Sequence, residues 1–97
     1  MRRTKLSEFD MRVVINGLCQ MRPKYCAEKR DAVDEIIVEL MNLHDTMKVN
    51  KSRKFSFQPS MKHQIVLCLI DWRNEMLDIG KDAAAEQISE TITLFLK

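Results

Sequence analysis

The chain is poor in the residues that punctuate a fold: 97 residues hold two Gly and two Pro. Sheets and long loops need many more turn-formers, so this scarcity excludes an all-β architecture and predicts a mostly helical one. Cysteine is also scarce and odd in number, with Cys19, Cys26 and Cys68. Without a CxxC spacing these three exclude a disulfide framework and a zinc site, and they read as reduced thiols of a cytoplasmic protein. On one helix Cys19 and Cys26 would lie two turns apart, about 10 Å between Cα atoms, too far for a bond. Long apolar runs are missing. The longest, Ile65 to Ile70, falls far short of the roughly 20 residues that span a bilayer, so no membrane association is expected. Met1-Arg2-Arg3-Thr4-Lys5 leads into Leu6-Ser7-Glu8 and not into an apolar stretch, so no signal peptide is expected.

Chemistry-bearing motifs are absent too. There is no Gly-rich phosphate loop, no HExxH and no Ser/His/Asp arrangement. His44 and His63 sit apart across a helix boundary with no ligand spacing. Asp71, Glu75 and Asp78 recur at helical spacing with Arg73 and Lys81 nearby, which reads as a solvated helix face. No catalytic, cofactor-binding or metal-binding residue is therefore assigned, no cofactor is expected, and the chain reads as non-enzymatic. The net charge of +2 is too mild to imply a nucleic-acid partner by itself.

What the sequence does contain is helical periodicity, stated twice. Ser7-Glu8-Phe9-Asp10 is a capping start, followed by a stripe of Met11, Val14, Ile15, Leu18, Met21 and Tyr25. Pro23 should end or kink that helix near Arg22, leaving Pro23 to Arg30 as a connection. Asp31 is a suitable cap for a second helix with Val33, Ile36, Ile37, Leu40, Leu43, His44 and Met47 on one face. A third begins near Ser60, with Pro59 in its first turn, and carries Met61, Ile65, Cys68, Trp72, Met76 and Ile79. Gly80 ends it, and Asp82 caps a fourth helix with Ala85, Ile88, Ile92, Phe95 and Leu96. A half-chain offset pairs Met11 with Met61, Ile15 with Ile65 and Ile37 with Ile88. That match fits a duplication and equally fits two unrelated amphipathic hairpins. The expected fold is all-α: four helices as two tandem antiparallel helical hairpins on one core. One domain spans 1–97, with a hairpin at 7–47, a basic linker at 48–59 and a hairpin at 60–97.

Two features suggest partners. The third helix carries Val66, Leu67, Leu69, Ile70 and Leu77 in addition to its stripe, so it is apolar around most of its circumference. Such a helix is either the central core element or one that also meets a partner. The second possibility predicts a homodimer or partner interface that includes Val66, Ile70 and Leu77. Trp72, mid-stripe, is expected in the core. The linker concentrates Lys48, Lys51, Arg53 and Lys54 next to Phe55 and Phe57, and no acid occurs between Asp45 and Asp71. Cations interleaved with aromatics can pair phosphates and stack bases. A solvated connection with both Phe rings pinned to the core is the plainer reading. Arg2, Arg3 and Lys5 extend the basic set, although a terminal arm of this kind is commonly disordered.

The stretch from Ile70 to Asp82, IDWRNEMLDIGKD, followed by Ile88 and Ile92, resembles the helix–Gly–helix hairpins of small helical proteins of phages and prophages of Gram-positive bacteria. The first half resembles the same unit with Pro23 in place of the Gly turn. The resemblance brings no catalytic residues. It implies a context in which small accessory proteins bind a host protein and inhibit or redirect it. The expected function is thus a protein–protein interaction module, a phage or prophage regulator or inhibitor of a host protein. The alternative is a small nucleic-acid-binding regulator using the 48–63 loop and the Arg2–Arg3 arm.

Overall fold

A computed structural model describes residues 3–97. The chain runs β1 (Thr4–Ser7), α1 (Glu8–Met21), a single 3-10 turn at Arg22–Lys24, α2 (Ala27–Asp45), β2 (Ser52–Phe55), α3 (Pro59–Asp78) and α4 (Asp82–Leu96). Helix dominates and four helices form, as the shortage of Gly and Pro implies. The all-α expectation is corrected by the two short strands, which form an antiparallel ribbon with Thr4 opposite Phe55 and Lys5 opposite Lys54.

The ribbon has a local cause. Thr4 and Leu6 alternate with Lys5, and Phe55 and Phe57 alternate with Lys54 and Ser56. That period of two suits a strand with one buried face. Thr4, Leu6, Phe55 and Phe57 are all buried. A two-stranded ribbon is marginal alone, and this one is held because β1 packs on α1 and α4. The rings of Phe55 and Phe57 stack at 5.7 Å, and those of Phe57 and Phe95 at 5.9 Å, tying the ribbon to the last turn of α4. The 48–59 linker is therefore only in part a connection. Both of its Phe rings are pinned to the core, and the N-terminal segment from Thr4 is ordered by pairing.

Capping explains most helix boundaries. The Ser7 hydroxyl accepts from the Asp10 N–H at 3.0 Å, and the Asp10 carboxylate accepts from the Ser7 N–H at 2.9 Å, a complete capping box for α1. α2 starts earlier than Asp31. Cys26 holds the extended cap conformation without a side-chain bond, so Asp31 lies inside the helix. Pro23 is absorbed in the 3-10 turn, which leaves only Tyr25 and Cys26 between the helical pieces. At the other end of the fold, Gly80 adopts φ 78°. The Gly80 N–H donates to the Leu77 carbonyl and the Lys81 N–H to the Met76 carbonyl, a Schellman close to α3. Asp82 is the first residue of α4, and Lys81 takes the cap position.

α1 is the hub: it packs on α2, α3 and α4, while α3 and α4 share the most extensive helix pairing. Two hairpins side by side would not require one helix to meet all three others. Met11, Val14 and Leu18 of α1 meet Val33, Leu40, Ile65, Leu69, Ile88 and Phe95 in one core. α1 approaches α3 closely at Gly17, where a Cβ would sit 2.7 Å from Trp72 Cε3 and 2.9 Å from Leu69 Cδ2. Trp72 is half-buried and packed against that core.

Candidate interaction surfaces

α2 and α3 diverge on one side and leave a groove of about 540 Å³, within the range of ligand pockets. Ile36 of α2, Phe57 after β2 and Met61 of α3 give it an apolar floor, and Glu35 and Glu39 stand on the α2 wall with Gln64 opposite. Away from the groove, α3 meets the α1–α2 turn through its later turns. There the Tyr25 hydroxyl donates to Asp71 Oδ2 at 2.8 Å and Lys24 pairs with Glu75. The first turns of α3 have no such tie to α2.

These contacts correct the reading of Asp71 and Glu75 as a solvated face. Both are half-buried and fasten the turn to α3. Burial pushes the Tyr25 phenol above its ordinary value, and bonds to Cys68 and Asp71 push it further. Burial likewise raises the Cys68 thiol, with the Tyr25 hydroxyl working against it. Cys68 is buried, whereas Cys19 and Cys26 are exposed and free. On the rim of the same turn, Arg22 pairs with Asp34 through Nε and, at 3.0 Å, through Nη2. The hydrogen bond raises Arg22 and holds the Asp34 carboxyl below the usual carboxylate range.

A second polar junction lies at the other end of α1. Glu8 is buried at 8% exposure. Its carboxylate accepts from Arg12 Nε at 2.8 Å and pairs with His44 Nε2. Its N–H donates to the Lys51 carbonyl at 3.2 Å. Glu8 thus joins the start of α1 to the end of α2 and to the turn before β2. That turn reverses at Asn50, a non-glycine residue at φ 64°, a conformation Asn tolerates better than most. His44 is a structural partner of Glu8, and His63 is exposed.

The residues that the sequence assigns to interfaces fall into two groups. Val66 and Ile70 are half-buried against the core, and Leu77 is 49% exposed near the α3–α4 turn, beside Ile79 at 57%. The surplus apolar residues of the third helix are explained in large part by its position between α1 and α4. Lys48, Lys51, Arg53 and Lys54 are all exposed, as are Arg3 and Lys5; Arg2 lies outside the described residues. Arg53 is engaged locally, over the Phe55 ring at 5.2 Å and with the Thr46 hydroxyl. The groove has no signal in the sequence, because which helices diverge is a matter of tertiary packing. Among the described residues no group of His, Cys, Asp or Glu could hold a metal ion, and no helix is long and apolar enough to cross a membrane. Comparison with protein-family models, with curated proteins and with solved structures finds no match for this chain.

Proposed function

We propose that this protein is a small non-enzymatic protein-binding module that captures a basic, amphipathic segment of its partner in the groove between α2 and α3. The observation that carries this reading is the pairing of an apolar floor, Ile36, Phe57 and Met61, with an acidic wall, Glu35 and Glu39. A helix or extended peptide that inserts one or two apolar side chains over Phe57 while presenting Lys or Arg to the α2 carboxylates satisfies both. α2 adds to the acidic character with Asp31 and Asp45. A host protein as the partner, and a phage or prophage regulator or inhibitor as the role, belong to the same proposal and rest on the resemblance of the α3–α4 hairpin.

Selection of random peptides displayed against the immobilised protein tests it. The expected winners combine a large apolar residue with two or more cations and lose binding to Glu35→Lys/Glu39→Lys. Winners without cations, or binding indifferent to that double change, would overturn the assignment of the groove.

A further inference from the structure

The β1–β2 ribbon collects cations that are half a chain apart in sequence. Its register places Lys5 directly opposite Lys54. Opposed residues of an antiparallel pair point to the same face, with Cβ atoms about 4.5–5.5 Å apart. That face is the outer one: Thr4, Leu6 and Phe55 point inward and are buried, while Lys5 and Lys54 are exposed. Arg3, just before β1, is exposed as well. Lys51 and Lys48 flank the ribbon on the turn before β2, both exposed.

Like charges set directly opposite each other across a ribbon are destabilising. Among the described residues none of Arg3, Lys5, Lys48, Lys51 and Lys54 is in an ion pair with an acid; the four ion pairs present all lie elsewhere. The register cannot slip to relieve the repulsion, because a one-residue shift would take Leu6 and Phe55 out of the core. Glu8 is already paired with Arg12 and His44, the Asp10 carboxylate accepts from the Ser7 N–H, and Glu35 and Glu39 line the groove. The fold thus sets Lys5 and Lys54 side by side with no ion-pair partner for either among the described residues.

We infer that the outer face of the β1–β2 ribbon binds the phosphate backbone of nucleic acid. The residues on this face are Lys5, Lys54, Ser7 and Ser52, types that position a protein on phosphates and do not read base edges. Phe55 and Phe57 are buried and do not offer a stacking platform, so the ligand is a duplex held by its backbone and not a single strand held by its bases. Binding is insensitive to sequence and strongly salt-dependent. This site is separate from the groove and stands whether or not the groove binds a peptide.

The test is fluorescence anisotropy with a labelled random-sequence DNA duplex from about 50 to about 200 mM salt. Affinity should be micromolar at the low end and fall steeply with salt, as backbone binding requires. Lys5→Gln/Lys54→Gln removes two exposed charges, and the logarithmic salt slope should fall by about 1.8, roughly 0.9 for each phosphate no longer neutralised. Lys81→Glu changes net charge by the same amount at the α3–α4 turn, about 30 Å away along the axis of α3, and should leave the slope unchanged. Circular dichroism on both variants checks that the fold is retained. Equal losses in the two variants would reduce the effect to bulk charge and overturn the proposal. So would no loss in the ribbon variant, or ribbon-dependent binding to vesicles of phosphatidylserine with no binding to duplex.

Discussion

At the scale of single residues, Gly17 is held to glycine by the close approach of α3. A methyl group there meets the Trp72 ring at 2.7 Å and the Leu69 side chain at 2.9 Å. Leu69 can adjust by a rotamer change, but the indole is rigid and packed against the core. Overpacking of this kind costs about 1–3 kcal/mol, whereas exchanging Gly for Ala in a helix gains about 1 kcal/mol. The clash therefore wins in the native background. Gly17→Ala should lower the urea midpoint of the native protein and raise it in a Trp72→Ala background, where the ring is gone. The same sign in both backgrounds would show that Trp72 does not set the constraint. The packing of Trp72 against the core is legible from its stripe. The role of Gly17 is not, because nothing in a single helical pattern says where a second helix will approach most closely.

At the scale of elements, the two junctions on α1 make different predictions. The first concerns β1. Leu6 is fully buried although it sits near the end of the chain, in a strand of only four residues. If the strand is an integral part of the core, Leu6→Ala should cost about 2–5 kcal/mol, measured by urea unfolding. A change near zero would mean that the arm is merely laid on the surface. The strands are hidden in the sequence by their brevity and by the stronger helical signals on either side. The alternation Thr4-Lys5-Leu6 and Lys54-Phe55-Ser56-Phe57 is there to be read, but four residues of period two carry little weight until a partner strand is known.

The second junction is the α1–α2 turn on α3, which holds two acidic groups in their neutral forms. Burial raises both the Tyr25 phenol and the Cys68 thiol in the folded state. A raised folded value means that the native protein binds these protons more tightly than the unfolded chain. The associated stability is fully present below the ordinary thiol and phenol values, about 8.5 and 10, and is lost as pH rises past them. The urea midpoint should accordingly fall between about pH 8.5 and pH 11. Tyr25→Phe, which keeps the ring and removes the ionisable group, should flatten the upper part of that fall. An alkaline limb identical in the variant would place the sensitivity elsewhere.

At the scale of the whole molecule, the helix count, the Gly80 stop and the single core follow from the sequence, because each rests on local spacing. The hub role of α1, the divergence of α2 from α3 and the ribbon do not, because each depends on which distant segments meet. The oligomeric state turns on the same distinction. The apolar girth of the third helix predicts that Val66, Ile70 and Leu77 face a second copy. Pairing of α3 with both α1 and α4 leaves Val66 and Ile70 half-buried within one chain. Among the described residues the large apolar side chains that remain exposed are spread over separate elements: Val38 and Met41 on α2, Leu67 and Leu77 on α3 with Ile79 just after it, Leu96 at the end of α4, and Phe9 and Val49 near the start of α1. A stable dimer buries roughly 800 Å² on each partner around a contiguous apolar centre, and side chains spread over separate elements do not supply one. Sedimentation at tens of micromolar should therefore return a mass near 11.4 kDa. A mass twice that value would restore the homodimer, and Leu77→Asp/Ile79→Asp would then identify its seat. Return to the monomer mass in that variant would place the interface at the α3–α4 turn, and persistence of the dimer would move it away from that turn.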